Sequence, residues 1–391
     1  MRTQWAFALF LVLGLGNGPL VLAQSDDAPF RAHPKTIVLD RLVETRFVSE
    51  SAPPTIEVMI NLKGPFRLAV DTGAQAVLLD DDVAAQLGSG APRDVNIILP
   101  GAEKPTRERA VAVGSIVIGE AVFSDFEAIV IDYDKVYGGK RQRDGTIGFS
   151  LFHSCLFTVD YPRGVVRLEK GELPMENDRD ILPYMEVKGV PTVEAAMQLM
   201  PDRYTIDTGR AGAVALPEWT KEKIKLRYVD EAILVSEINP RVEDVREVQA
   251  NGTFVVGHYR LVEPPVYFFG NEFAIGHRAL SHFVLTFDPK NERVRFGRAD
   301  NTPIDFLPPP KLGLYIRREG KKLRVLRVVP GSPAARFNIL AGDEVLNVEG
   351  KEASQYSELA LRNLLETSDS VAMQLSRDGY AYILRLKADD K

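Results

Sequence analysis

Phe66-Arg67-Leu68-Ala69-Val70-Asp71-Thr72-Gly73 has a counterpart in Arg203-Tyr204-Thr205-Ile206-Asp207-Thr208-Gly209. In both, an apolar run of strand-forming residues ends on an Asp-Thr-Gly triplet. The likeness continues downstream. Thr146-Ile147-Gly148 answers to Ala274-Ile275-Gly276, Leu156-Phe157-Thr158-Val159-Asp160 to Val284-Leu285-Thr286-Phe287-Asp288, and Val165-Val166-Arg167-Leu168 to Arg293-Val294-Arg295-Phe296. Asp71 and Gly148 lie 77 residues apart, Asp207 and Gly276 69. Four landmarks recurring in one order at nearly one spacing are an internal repeat, and the repeat predicts two homologous all-β lobes, residues 36–171 and 172–300.

The flanking segments read as short strands. Ile56-Glu57-Val58-Met59-Ile60-Asn61-Leu62 alternates, and a turn is expected at Lys63-Gly64-Pro65. Further strands are expected over 95–99, 110–118, 126–131 and 165–168. Asp80-Asp81-Asp82 before Val83–Leu87 and Gly88 predicts one short helix, with acidic residues in its first turn and a glycine stop. Asn251-Gly252 is a hairpin signal as well as part of a glycosylation acceptor pattern.

Two carboxyls held together can supply both parts needed to hydrolyse a peptide bond without a metal or covalent nucleophile. Like charges in contact cannot both ionise, so one carboxylate activates water while the other keeps a proton to donate. Each Asp must then sit on a tight, rigid turn. Gly permits the close approach, and the Thr hydroxyl can be bonded inward to lock the loop. The paired Asp-Thr-Gly triplets, each with a later Ile-Gly segment, resemble the two lobes of an aspartic protease, closer in lobe size to the retroviral type than to pepsin. The resemblance covers about Thr36 to Arg298. It implies a mainly β, two-lobed acid-protease-like β-barrel fold, with Asp71 and Asp207 as the catalytic dyad, Thr72 and Thr208 as locking hydroxyls, and Gly73 and Gly209 as turn glycines. With both triplets in one chain, a monomer suffices for a complete dyad. The expected flap is Ile97 to Val113, turning at Pro100-Gly101 and lacking the flap tyrosine of pepsin-like enzymes.

The residue after the first triplet is Ala74, as in retroviral-type enzymes, but after the second it is Arg210. Arginine usually stays exposed, so Arg210 is expected to face solvent. If it instead reached Asp207 it would favour the ionised form there and leave Asp71 as the proton holder.

Leu312-Gly313-Leu314, Val328-Val329-Pro330-Gly331-Ser332-Pro333-Ala334-Ala335, Leu340–Leu346 and Val348-Glu349-Gly350 closely resemble a small α+β PDZ domain over 311–391, preceded by a Pro-rich linker at 301–310. The resemblance implies that backbone N–H groups around Gly313 receive a peptide C-terminus, with Leu312, Gly313, Leu314, Tyr315 and Ile316 as the binding segment and a helix over Gln355–Thr367 as the other wall.

Arg2, an apolar run over Ala6–Gly16, and Val21-Leu22-Ala23 read as a signal peptide of residues 1–23 cleaved after Ala23; the run is far short of the roughly 20 residues a membrane span needs. Residues 24–35 read as a flexible leader. An exported protein, periplasmic or secreted, is expected, with no transmembrane segment after cleavage. The 391 residues carry 48 Lys+Arg against 54 Asp+Glu, and this acidic balance without a basic run argues against nucleic acid. One cysteine, Cys155, excludes an internal disulfide, and its apolar neighbours predict a buried thiol. The five histidines form no His-Glu-x-x-His pattern and no serine-nucleophile motif occurs, so neither metal nor cofactor is expected. The expected activity is aspartic endopeptidase cleavage of polypeptide substrates. The alternative is a catalytically silent module that binds partners in the cleft and the PDZ groove.

Overall fold

The strand Thr55–Ile60 turns back at once into Lys63–Asp71, and this hairpin delivers Asp71 to the middle of its sheet. The turn falls at Asn61-Leu62 rather than at the expected Lys63-Gly64-Pro65. Both central residues have positive φ, 48° and 64°, the geometry of a two-residue hairpin loop. The Asn61 side chain fixes it by accepting the Ser115 N–H at 2.9 Å. Chemistry two residues upstream of the Gly-Pro pair therefore sets the register.

The computed structural model describes residues 21–23, 30–49, 53–88, 92–98, 105–136, 143–174, 178–226, 232–234, 245–306, 311–319, 322–329, 331–356, 360–361, 364–365 and 368–388. The protein is mainly β, in two compact units, Met1–Phe306 and Leu307–Lys391.

Among the described residues of the first unit there are three sheets. A nine-stranded sheet is built from the first half of the unit, and an eleven-stranded sheet from the second. Their connectivity repeats. Gly145–Gly148 lies parallel to Lys63–Asp71 and sets Gly148 opposite Asp71; Ala274–Gly276 lies parallel to Met200–Asp207 and sets Gly276 opposite Asp207. Leu78–Asp80 runs parallel to Ala121–Ile131, as Val214–Leu216 does to Pro265–Phe268. The strand Val21–Ala23, within the segment read as a signal, pairs with Arg93–Ile98 at one end of the first sheet.

A six-stranded sheet joins the halves, with Leu156–Asp160 antiparallel to Val284–Asp288 at its centre. Thr158 and Thr286, which occupy the same place in the two repeats, face each other with hydroxyls 2.9 Å apart. Phe157 stacks on Phe287 at 5.6 Å and on Phe152 at 4.0 Å, and Phe149 meets Phe287 edge-on at 5.5 Å. Each such aromatic pair adds about 0.5–1.5 kcal/mol beyond its buried area. One hydrophobic core, from Leu39 to Ile304, runs through both halves.

The predicted helix is Asp81–Leu87. Asp80 caps it by accepting the Asp82 N–H at 3.1 Å, and Gly88 ends it at φ 62°. Asn251-Gly252 does not turn a hairpin. It joins Val245–Gln249, which pairs with Pro265–Phe268, to Thr253–Val256, which pairs with Tyr259–Val262. The dipeptide links two interior strands of the same sheet that have different partners. Ile304–Asp305, within the segment read as a linker, pairs in parallel with Tyr259–Val262.

In the second unit the sheet runs in the order Leu314–Glu319, Lys322–Val328, Glu344–Val348, Ser370–Arg377, Tyr380–Lys387, with Lys351–Glu352 added to Glu344–Val348. Leu312, Leu314, Ile316, Val345, Val371 and Leu386 belong to its core. Asp343 is buried and tied to the Leu340 N–H at 2.9 Å, Arg377 and the Tyr382 hydroxyl at 2.7 Å. Of the helix expected over Gln355–Thr367, residues 357–359, 362–363 and 366–367 lie outside the described residues; Ala353–Gln355 forms a 3-10 turn.

Candidate active site

The Thr residues of the two triplets do more than lock their own loops. The Thr72 hydroxyl donates to the Ile206 carbonyl at 2.5 Å and accepts the Thr208 N–H at 3.1 Å. The Thr208 hydroxyl donates to the Val70 carbonyl at 2.7 Å and accepts the Thr72 N–H at 3.0 Å. Each hydroxyl thus crosses to the other half, and both threonines are fully buried. The grip brings the triplets face to face. A Cβ on Gly73 would run into the Asp207 carboxyl, and a Cβ on Gly209 into that of Asp71. Glycine is required here because the opposite carboxyl occupies the space a side chain would need.

The Ile-Gly segments close the arrangement from behind. A Cβ on Gly148 would strike the backbone of Ala74 and Ala76, and one on Gly276 that of Arg210 and Gly212. His277, the next residue, donates its N–H to the Arg210 carbonyl at 2.7 Å. The turns bearing the carboxyls are therefore wedged between their own strand and a parallel neighbour.

Asp71 and Asp207 are 6% and 7% exposed. Burial holds the Asp71 carboxyl well above the usual carboxylate range. The adjacent Asp207 charge and a hydrogen bond between the two carboxyls push it the same way, against the Gly73 N–H, which donates to Asp71 Oδ1 at 2.8 Å. Burial and the facing carboxyl both favour the protonated form of Asp71.

Arg210 departs from the expectation that it faces solvent. Its Nε donates to Asp207 Oδ2 at 2.7 Å and its side chain is 16% exposed. Burial disfavours its charge, but Tyr267, Asp207 and Glu272 around it outweigh that and raise its pKa. The general tendency of arginine to stay exposed gives way to a carboxylate three residues upstream, in a turn that cannot avoid it. Glu272, Tyr267 and Tyr161 are further neighbours that the sequence reading did not single out. Burial, then the charges of Asp207 and Asp71, lift the Tyr161 hydroxyl well above its ordinary value, and its ring meets His277 edge-on at 5.1 Å.

Arg93–Ile98 and Thr106–Ile118 form the hairpin in which the flap was expected, Ile97 opposite Thr106; Pro100-Gly101 lies outside the described residues. A second hairpin, Ala232–Leu234 with Val245–Gln249, takes the corresponding place in the other half. Its sequence lacked the length and alternation that mark a strand pair. Cys155 is buried, its thiol pushed up to about 12, and plays no part in the dyad. Among the described residues no cluster of His, Cys, Asp and Glu has metal-site geometry. A cavity lined by Leu182, Tyr184, Met185, Glu194, Ala196 and Arg203 includes neither Asp71 nor Asp207.

Residues 56–151 match the aspartyl protease family model. The aspartyl protease match contains the first triplet, the strand pair Arg93–Ile98 and Thr106–Ile118, and the first Ile-Gly segment, and it ends before the second triplet. No curated protein matched the chain. In the segment that follows the aspartyl protease match, Asp207 is tied to it by internal geometry: its triplet repeats the first in register and in hydrogen bonding. In the second unit, Gly313 has φ 74°, and a Cβ there would collide with the Ser332 side chain. Leu312, Leu314, Tyr315 and Ile316 beside it are buried, and their strand stands at one end of the sheet order.

Proposed function

We propose that the protein is an exported aspartic endopeptidase whose two lobes share one active site. The observation that carries this reading is the crossed packing of the triplets, in which each turn glycine leaves room only for the carboxyl of the other half. With the proton on Asp71, the Asp207 carboxylate takes a proton from water as the water oxygen attacks the peptide carbonyl carbon. Asp71 gives its proton to the carbonyl oxygen, forming a neutral gem-diol. Collapse of that intermediate breaks the C–N bond: the proton gained by Asp207 passes to the leaving nitrogen while one gem-diol hydroxyl returns its proton to Asp71, releasing the carboxylic acid and the amine and restoring the dyad. Water is the only co-reactant.

The C-terminal unit acts as a PDZ domain that captures peptide C-termini along Leu312–Ile316 and raises the local concentration of substrate at the cleft. Residues 1–23 direct export and are removed.

One observation favours a second reading, a catalytically silent cleft: Arg210 occupies an oxygen of Asp207 that a catalytic water would also use. Cleavage of a peptide library between pH 3 and 8 separates the two. The protease reading expects turnover by the wild type and its loss in Asp71→Asn and in Asp207→Asn. Turnover surviving both substitutions would remove the dyad assignment, and none from the folded wild type would establish the silent cleft. Deleting residues 311–391 should raise KM and leave kcat in place.

A further inference from the structure

The two turns that carry the dyad match in their backbone bonding and differ in one side chain. After the first triplet, the Ala74 N–H donates to the Asp71 carbonyl at 3.2 Å and the Ala74 carbonyl accepts the Phe149 N–H at 2.8 Å. After the second, the Arg210 N–H donates to the Asp207 carbonyl at 3.4 Å and the Arg210 carbonyl accepts the His277 N–H at 2.7 Å. Ala74 contributes only a buried methyl. Arg210 puts a guanidinium in the matching place, so one side of an otherwise two-fold site is cationic.

That guanidinium is engaged only at its root. Three other arginines close on carboxylates with two nitrogens each: Arg93 on Glu127 through Nε and Nη2, Arg163 on Glu44 through Nη1 and Nη2, and Arg377 on Asp343 through Nε and Nη2. Arg210 gives Asp207 its Nε alone, at 2.7 Å. Its terminal nitrogens have no hydrogen-bond or ion-pair partner among the described residues, and neither is sealed from solvent. Glu272 acts on the charge from nearby but forms no ion pair with it. The Asp207 carboxyl is itself divided between Arg210 and Asp71. The arginine is therefore held in place without being saturated.

Building on the protease reading, we propose that Arg210 is a specificity-determining residue: the open end of its guanidinium receives the carboxylate of an Asp or Glu side chain of the substrate, on the Asp207 side of the scissile bond. A planar fork fixed at Nε presents its remaining N–H groups in the geometry that suits a carboxylate. Ala74 has no side-chain donor to offer, so an acidic residue on the other side of the bond gains nothing. A substrate that threads the cleft thus has a favoured direction.

The test uses pools of labelled apolar peptides that carry one Glu or, in its place, one Gln. Every peptide ends in an amide, which removes the chain terminus as a second carboxylate. With the full chain, the Kd ratio of each pair is read by fluorescence anisotropy before appreciable turnover, and the kcat/KM ratio from cleavage. At about pH 6 the Glu member should be preferred roughly tenfold, and cleaved peptides should carry Glu on one side of the scissile bond only. The preference should disappear below about pH 4, where the substrate carboxyl takes up its proton. In Arg210→Gln the ratio should fall to about one, whereas a role of Arg210 confined to the dyad would slow both members of a pair alike and leave the ratio unchanged. A wild-type ratio of one, Glu accepted equally on both sides, or a preference that survives Arg210→Gln would overturn the proposal. An Arg210-dependent Kd ratio in a wild type that cleaves nothing would refute the protease reading and support the carboxylate site.

Discussion

Replacing Thr208 by Val preserves the shape of the side chain and removes only its hydroxyl. Two hydrogen bonds are lost, the donation to the Val70 carbonyl at 2.7 Å and the acceptance of the Thr72 N–H at 3.0 Å. Each is worth about 1 kcal/mol net, and the stranded Thr72 N–H, fully buried, adds a desolvation cost of about 1–3 kcal/mol. The sum is roughly 3–5 kcal/mol. For a unit of this size about 2 °C is lost per kcal/mol, so the unfolding midpoint should fall by roughly 6–10 °C. Trp219 lies in the same unit, and its fluorescence reports the transition. Thr208→Ser keeps the hydroxyl and loses one methyl, so it should stay within about 1 kcal/mol of the wild type. Because the bond network is reciprocal, Thr72→Val should match Thr208→Val in size. A Thr208→Val midpoint within 1 °C of the wild type, or Thr208→Ser as unstable as Thr208→Val, would show that methyl packing rather than the crossed hydroxyls joins the two halves.

Gly209→Ala places a methyl where the Asp71 carboxyl stands, and relief requires a displacement of roughly 1 Å. A misplacement of that size should cost about 100-fold in kcat with the far-ultraviolet circular dichroism unchanged; full activity would contradict the crossed packing. The His277 ring is held neutral, its pKa pushed down to about 4 by burial. An unfolded histidine binds its proton below about 6.5 and the folded one does not, so the contribution is complete above pH 6.5 and drains away as pH falls toward 4. Urea midpoints of the wild type should decline through that window by up to about 3 kcal/mol, and His277→Phe should flatten the decline; equal slopes would place the pH dependence elsewhere.

The two matched turns were readable because their requirements are local. An apolar strand ending on Asp-Thr-Gly and an apolar-apolar-Gly segment each encode a backbone shape, and a repeated order of such shapes encodes a repeated topology. Asp80 and Gly88 bounded their helix for the same reason, since caps act on the nearest turn. Asn61-Leu62 was misplaced because Gly64-Pro65 carries the stronger turn signal, while the side-chain bond from Asn61 to Ser115 decides the matter 54 residues away. Asn251-Gly252 misled similarly, because a dipeptide does not reveal whether the strands on either side pair with each other.

The sequence alone determined which side chains could form the site: two carboxyls, two hydroxyls and two glycines on matched turns. Tertiary structure decided how they act on one another. Arg210 turns inward because Asp207 stands within reach, and burial together with its neighbour's charge pushes Asp71 toward its protonated form. Local backbone preference fixes the first set. Charge and burial depend on what surrounds a group in space, so only the folded chain can fix the second.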